Sequence, residues 1–203
     1  MIWQNQIMHP IIETSHLILR APQKGDEFSL NQAIQESLSA LSRWMPWAQD
    51  PSLEMTKAFI DNNVEVWGTN KQKEMPFIVL LKEENRIIGA SGYNDQSDSF
   101  VPFYEIGYWL HSDYTGRGFA TELTIALTHY AFEQLKAIRV QICCQAENLR
   151  SLRVIEKCGY QFEAKLHKQC LDLATKKPAD RLVFACFDTS KLPRIFLRYR
   201  KAL

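Results

Sequence analysis

The chain has 203 residues, of which 46% are hydrophobic and 23% charged, a composition that supports one globular domain and excludes bulk disorder. Its formal net charge of +1 excludes nucleic-acid binding driven by overall charge alone. The sequence has no signal-peptide pattern and no apolar run near the ~20 residues of a membrane span, so we expect a cytoplasmic protein without membrane contact.

The first third of the chain predicts an arm, a strand and two helices. Residues 1–13 are expected to form a loosely held N-terminal arm. Alternating apolar residues over 16–20 predict a short strand. Apolar residues at helical spacing predict one helix over 25–43 and a second helix that begins near Ser52.

The remainder of the chain predicts a sheet with helices between its later strands. Three strand-like runs separated by turn-forming residues, at 76–82, 86–93 and 103–110, predict an antiparallel meander. A glycine loop and a helix follow the meander, and then come a strand at 138–144, a helix at 149–158 and strands near 160–166 and 181–187. This order indicates the α+β class, with a mixed and mostly antiparallel sheet.

The cysteines and histidines predict neither a disulfide framework nor a metal site. Five cysteines are an odd number without a C-x-x-C pair, so we expect reduced thiols. Cys143 and Cys144 are adjacent in a strand-like run, which turns their side chains to opposite faces. The five histidines are scattered and form no H-E-x-x-H motif, so we expect no metal.

A glycine loop precedes the helix that begins near position 119. Gly116 and Gly118 allow positive φ and close approach of a ligand to the backbone. The helix N-terminus adds unpaired N–H donors, and Arg117 adds a charge, so the loop predicts a diphosphate site. A tight turn without a ligand is the alternative. A dinucleotide site is excluded because Thr121 stands where G-x-G-x-x-G requires its third glycine.

This loop resembles the acyl-CoA-binding segment of the GNAT superfamily of acetyltransferases. The family consensus, Gln/Arg-x-x-Gly-x-Gly/Ala, falls on Thr115, Gly118 and Ala120, with Thr115 in place of the usual Gln or Arg. Backbone N–H groups do most of the diphosphate binding in such a loop, so this departure leaves the expected site in place.

A second motif resembles the same family. Asn148-Leu149-Arg150-Ser151, followed by Gly159-Tyr160, is similar to the family's Asn-x-x-Ser helix that runs into Gly-Phe. The resemblance spans residues 16–188. It implies a GNAT-type sheet flanked by helices and splayed between the fourth and fifth predicted strands, 103–110 and 138–144, with acetyl-CoA as cosubstrate and no metal.

The resemblance divides the chain into an N-terminal arm (1–13), a GNAT N-acetyltransferase domain (14–190) and a basic C-terminal tail (191–203). It also assigns the CoA-binding residues. The backbone of Tyr108, Trp109 and Leu110 is expected to hold the pantetheine arm, although Trp109 could also be a core aromatic. The other expected CoA-binding residues belong to the two motifs: Thr115, Gly116, Arg117, Gly118, Phe119, Ala120, Thr121, Asn148 and Ser151.

Acetyl transfer needs a base for the amine and a group that serves the departing sulfur. Glu105 is the candidate base, because a carboxylate in an apolar strand is unusual unless it is paired or used. A structural ion pair with a Lys or Arg is the alternative. The tyrosine by which many family members protonate the thiolate is replaced by Ile155. Ser151, one turn earlier, is the candidate for the sulfur, and Asn148 could equally be a helix cap.

Trp44 and Trp47 flank Met45-Pro46 between two predicted helices. The resemblance places this loop over the acceptor pocket, together with Glu105, and a hydrophobic corner is the alternative. His111, just past a strand, is expected to be a solvated turn residue.

The segments Glu-Ile-Gly-Tyr-Trp-Leu and Trp-Met-Pro-Trp resemble the GNAT branch that acetylates the N-termini of ribosomal proteins. The resemblance therefore implies transfer of acetyl to a primary amine, the N-terminal α-amine of a ribosomal protein. An acetyltransferase for a polyamine, aminoglycoside or amino acid is one alternative, and a non-catalytic CoA-binding regulatory module is another. The tail 191–203 is expected to be solvated or to form a helix packed on the domain by its apolar residues; a weak ribosome contact is the alternative, and a homo-oligomer stays open.

Overall fold

A computed structural model of the protein describes residues 9–98 and 100–201. Within them, nine strands form one sheet: β1 Pro10–Glu13, β2 Leu17–Arg20, β3 Met75–Leu81, β4 Arg86–Tyr93, β5 Phe103–Leu110, β6 Arg139–Gln145, β7 Gln161–Asp172, β8 Lys177–Cys186 and β9 Arg198–Lys201. The helices are α1 Asp26–Glu36, α2 Leu38–Trp44, α3 Leu53–Val66, α4 Phe119–Glu133 and α5 Leu149–Lys157. None of these helices is both long and apolar enough to cross a membrane.

The sheet has the order β7-β8-β6-β5-β4-β3-β2-β1-β9. Strands β3, β4 and β5 form the predicted antiparallel meander. Strands β5 and β6 are parallel, and their ladder joins Phe103–Glu105 to Arg139–Gln141. Beyond Glu105, β5 is paired with β4 alone in the described ladders. The predicted α+β fold and the splay between 103–110 and 138–144 are therefore confirmed.

The helices cover the two faces of the sheet. Helices α4 and α5 pack on one face, in the cluster that contains Tyr104, Ile106 and the partly buried Tyr108. Helices α1, α2 and α3 pack on the other face, in a second cluster that includes Trp109. Because side chains alternate along a strand, β5 presents successive residues to these two different environments.

Two short strands lie in segments expected to be an arm and a tail. Residues 10–13 form β1, which pairs with both β2 and β9. The expectation of a loose arm is wrong for these residues, and the reading of a solvated or helical tail is wrong for 198–201. Tyr199 explains the docking of β9, because its ring lies 5.5 Å from that of Tyr130. Residues 1–8 and 202–203 lie outside the described residues.

The helix predicted over 25–43 is two helices. Ser37, which is almost fully buried, separates α1 from α2. Its hydroxyl oxygen accepts a hydrogen bond from the Ser112 N–H at 2.9 Å. This contact links the break between α1 and α2 to the segment that leaves β5.

Candidate active site

The glycine loop leaves an open helix N-terminus. Gly116 and Gly118 have φ of 77° and 90°, in the left-handed region that favours glycine. Gly118 is the N-cap residue of α4, and no side chain caps its first turn. The Arg117 guanidinium lies over the rings of Tyr114 and Phe119, at 5.6 and 4.9 Å. Exposed N–H groups beside a fixed cation have the chemistry of an anion site.

The residues on either side of the glycine loop make hydrogen bonds and packing contacts within the protein. The Thr115 hydroxyl donates to the Ser112 carbonyl at 2.8 Å, so this side chain stabilises the short 3-10 helix before the loop. Phe119 is buried. Ala120 and Thr121, in the first turn of α4, have backbone carbonyls that accept from the side chains of Thr124 and Cys158. Their assignment to CoA stays a prediction that rests on backbone N–H groups.

The three residues proposed to hold the pantetheine arm end β5, where the splay opens. Tyr108 and Leu110 face the α4–α5 side, and Leu110 is buried there. Trp109 faces the α1–α3 side, where its ring lies 5.7 Å from that of Trp47. The Trp109 side chain is therefore packed against an aromatic partner, and only its backbone would line the gap.

Glu105 lies where the β5–β6 ladder ends, with 6% of its surface exposed. Asn94 donates to its Oε1 at 2.8 Å, and Gln141 donates to its Oε2. The Cys143 thiol donates to Oε2 at 3.4 Å. Among residues 9–98 and 100–201, no ion pair includes Glu105. The structure therefore does not contain the ion pair considered as the alternative.

Ser151 lies in the first turn of α5, which begins immediately after the β6 arm of the splay. Asn148 caps this helix, because its Oδ1 accepts from the Ser151 N–H at 3.1 Å. The Ser151 hydroxyl is 2.8 Å from the phenol of Tyr108 on β5. A hydrogen bond to Ser151 also acts on Cys144, whose pKa is raised to about 11 chiefly by burial. Tyr108 and Ser151 thus meet from opposite sides of the gap.

The tryptophan loop lies on the other face. Trp47 is 44% exposed, and its ring contacts Trp109 at the side of the sheet that carries Glu105. Trp44 ends α2, with the Arg43 guanidinium 4.5 Å from its ring centroid. The structure brings Trp47 to the β5 face, whereas the contact described for the Trp44 ring is with Arg43 on its own helix.

His111 is not a solvated turn residue, and that expectation is wrong. It is 2% exposed, and its Nδ1 accepts the Asp113 N–H at 3.1 Å. The proton of a neutral ring therefore lies on Nε2, which is 2.6 Å from Glu36 Oε2. This hydrogen bond lowers the pKa of Glu36. His111 joins α1 to the end of β5 and so has a structural role.

Sequence reasoning missed three residues around Glu105. Asn94 lies in a turn, and Gln141 and Cys143 share one face of β6, opposite the buried Val140 and Ile142. Burial and the neighbouring carboxylate raise the pKa of Cys143 to about 12. Alternation along 138–144 could have signalled this polar face, but its contact with Glu105 depends on the parallel β5–β6 register.

The two candidate catalytic residues lie on opposite faces of the sheet. Glu105 lies on the α1–α3 face of the sheet, and Ser151 contacts Tyr108 on the α4–α5 face. The splayed gap between β5 and β6 connects the two faces. Within the described ranges, no group of three or more His, Cys, Asp or Glu could hold a metal ion. A base on one face and a hydroxyl pair on the other suit transfer of a group through the gap.

Comparisons with known proteins agree with this geometry. Residues 16–161 match the family model described as acetyltransferase (GNAT) domain. The uncharacterized N-acetyltransferase YnaD of Bacillus subtilis is 31% identical over 162 residues, 79% of this chain and 87% of that protein. The ribosomal-protein-serine acetyltransferase of Escherichia coli is 26% identical over 138 residues, 68% of this chain and 74% of that protein.

A solved structure shares the fold over most of the chain. RimL, a ribosomal L7/L12 alpha-N-protein acetyltransferase in complex with coenzyme A, superposes with a TM-score of 0.78 at 22% identity. The match covers 89% of this chain and 99% of RimL.

Proposed function

The chain belongs to the GNAT acetyltransferase family, and from this premise we propose that its acceptor is the N-terminal α-amine of a ribosomal protein. The coarser activity follows from the family: the protein is an acetyl-CoA-dependent N-acetyltransferase. The finer statement, which amine accepts the acetyl group, is argued from the residues around Glu105.

The residues present fit a direct attack of the amine on the thioester. The open N-terminus of α4 and Arg117 would hold the diphosphate of acetyl-CoA. Glu105 would accept a proton from the attacking amine on one face of the sheet. The Ser151 hydroxyl would stabilise the charge that develops on sulfur as the carbon–sulfur bond breaks.

One observation carries the assignment of the acceptor. In the part of the chain that the structure describes, Glu105 is a single carboxylate held by two amides and a thiol, with no second carboxylate among its hydrogen-bond partners. One negative charge on the same face of β5 as Trp109, whose ring contacts the exposed Trp47, suits one amine attached to a peptide. A polyamine would favour a cluster of carboxylates. The ribosomal-protein acetyltransferases among the relatives support the same acceptor class.

The test is a competition between acceptors. The protein is incubated with acetyl-CoA and peptides that carry the first residues of ribosomal proteins, and the products are read by mass spectrometry. The matched controls are the same peptides with a blocked N-terminus and an internal lysine left free. We expect acetylation of the free N-termini only.

Two other results would contradict the proposal. Turnover of spermidine, an aminoglycoside or a free amino acid with no turnover of peptides would assign a small-molecule acceptor. Acetylation of the blocked peptides on lysine would assign a side-chain amine. Thermal unfolding with acetyl-CoA checks that the protein is loaded, because a ligand at 100 times its dissociation constant adds about 2.7 kcal/mol of stability.

A further inference from the structure

We propose that Tyr108 is a positioning residue for the leaving group. Its phenol donates to the Ser151 hydroxyl oxygen and so directs the Ser151 proton toward the sulfur of CoA. The inference rests on the proposed role of Ser151. It adds a residue whose side chain, unlike its backbone, was not expected to take part.

The direction of the hydrogen bond follows from the acceptors within reach of Tyr108. The phenol oxygen is 2.8 Å from Ser151 Oγ and 3.5 Å from the Ser151 carbonyl oxygen. If Ser151 donated to Tyr108, the only acceptor left for the phenol proton among the described residues would be the carbonyl at 3.5 Å, which is too long for a good O–H···O bond. If Tyr108 donates, its proton has an acceptor at normal length, and the Ser151 proton is left for a sulfur: that of Cys144, with which Ser151 shares a hydrogen bond, or that of bound CoA.

The location of the pair connects it to the reaction. Tyr108 lies on β5 beyond Glu105, where the ladder to β6 has ended. Ser151 lies on α5, which follows the β6 arm, and its backbone N–H is fixed by Asn148. The Tyr108–Ser151 bond therefore spans the gap through which the acetyl group must pass.

The surroundings of Tyr108 keep its phenol protonated, and the phenol is therefore a hydrogen-bond donor. Burial raises the pKa of its phenol well above the ordinary value, so the hydroxyl stays protonated at every pH at which the enzyme is assayed. Cys144 and Cys158 are close neighbours, and both are buried. A hydrogen bond in such a medium is stronger than the same bond in water.

The chemical step needs no proton from Tyr108. The amine nitrogen forms a bond to the thioester carbon, the carbon–sulfur bond breaks and its electron pair stays on sulfur. The amine proton passes to Glu105 and then to solvent. The thiolate accepts a hydrogen bond from Ser151, whose donor strength rises because its own oxygen accepts from Tyr108. The thiolate is protonated by solvent after release, and the phenol keeps its proton throughout.

The first test is a double-mutant cycle. Tyr108→Phe should lower kcat about tenfold, the effect of one neutral hydrogen bond, without changing the KM for acetyl-CoA. In a Ser151→Ala background the same change should cost nothing further, because the phenol acts only through Ser151. Tyr160→Phe is the matched control. It removes another buried phenol, which is 2.6 Å from the Thr128 hydroxyl, and should leave kcat unchanged.

The second test varies the leaving group. Acetyl-selenoCoA releases a selenolate, a weaker base that needs less stabilisation than a thiolate. The effect of Tyr108→Phe should therefore nearly vanish with this donor. A purely structural role for Tyr108 would reduce turnover of both donors equally. Equal losses, additive losses in the cycle, or wild-type kcat in Tyr108→Phe would each overturn the proposal.

Two features of these experiments distinguish failure of the Tyr108 proposal from misfolding and from failure of the proposed acceptor. If Tyr108→Phe does not fold, 3-fluorotyrosine at position 108 strengthens the donor without removing it, and a fall in kcat there would overturn the proposal. Both tests can use whichever amine is turned over, because the leaving group is the CoA thiolate with every acceptor. Failure of peptides as acceptors would therefore refute the proposed function while the test of Tyr108 still stands.

Discussion

Gly118→Val should abolish tight binding of CoA while the protein still folds. Gly118 begins α4 with φ of 90°, and a Cβ added there would meet no atom within 4 Å. The folded chain therefore has room for the side chain, and its cost in stability is the left-handed backbone, roughly 1–2 kcal/mol for an L-residue. The same side chain would stand in the space that a diphosphate must enter.

The loss of affinity can be estimated from the donors at this helix end. A hydrogen bond from a backbone N–H to a charged phosphate contributes about 1.5–3 kcal/mol. Each donor that the valine displaces should therefore weaken CoA binding by roughly ten- to 150-fold. Isothermal titration calorimetry with CoA measures this change, and chemical unfolding measures the stability separately.

The chain offers a matched control in Gly25. It is also the N-cap residue of a helix, with φ of 101°, no side-chain cap and no atom within 4 Å of an added Cβ. Gly25→Val should therefore cost the same stability and leave CoA affinity unchanged. Wild-type affinity in Gly118→Val would show that Gly118 is only a turn residue. Equal loss of affinity in both variants would show that backbone strain, and not blocked access, weakens binding.

Three further predictions follow from the site and the sheet edge. Glu105→Gln should lower kcat/KM by roughly ten- to a thousandfold and remove the acidic limb of the pH–rate profile, as expected for a general base; activity that keeps this limb would place the base elsewhere. Burial and the neighbouring Glu105 carboxylate raise the pKa of Cys143 to about 12, so alkylation of this thiol by iodoacetamide should be slow at pH 8. Alkylation should be faster in Glu105→Gln, which removes the negative charge, as measured by peptide mass. An equal rate in both proteins would contradict the contact between Cys143 and Glu105. Replacing Lys191, Arg194 and Arg198 with Gln should spare short peptides and weaken action on ribosomal particles, with the difference shrinking as salt rises; equal losses on both would mean a structural role.

Local patterns predicted the elements whose signals are contained within a few residues. The meander strands follow from alternation bounded by turn residues, and the observed bounds of β4 and β5, 86–93 and 103–110, equal those expected. Ser52 was expected near the start of a helix, and its hydroxyl accepts from the Met55 N–H as an N-cap.

The missed elements depend on partners far away in the sequence. Strand β1 is only four residues long, and half of its pairing comes from β9, so no local pattern could predict it. His111 reads as polar and exposed, yet it is buried and hydrogen-bonded to Glu36 at the end of α1. Non-local contacts of this kind override local propensity.

The residues of the candidate site also divide into those that a local pattern predicts and those that depend on distant contacts. Alternation along a strand is enough to place Glu105 and Tyr108 on opposite faces of β5, and the same pattern places Cys143 and Cys144 on opposite faces of β6. The amides that hold Glu105 could not be predicted, because Gln141 reaches it only through the register of a parallel pair. The hydrogen bond between Tyr108 and Ser151 depends on how α5 is placed relative to the splay, which no local spacing encodes.

The pairing of β1 with β9 makes this fold a candidate for circular permutation. Pro10 lies opposite Lys201 in the ladder, so a short linker could join these positions without stretching the chain. New ends could then be opened in the exposed turn between β7 and β8. In such a permutant, β9, β1 and β2 would follow one another in the sequence. The pairing of β1 with β9, which now closes a loop that contains most of the chain, would become local. Faster refolding with unchanged acetyl-CoA binding would be the expected signature.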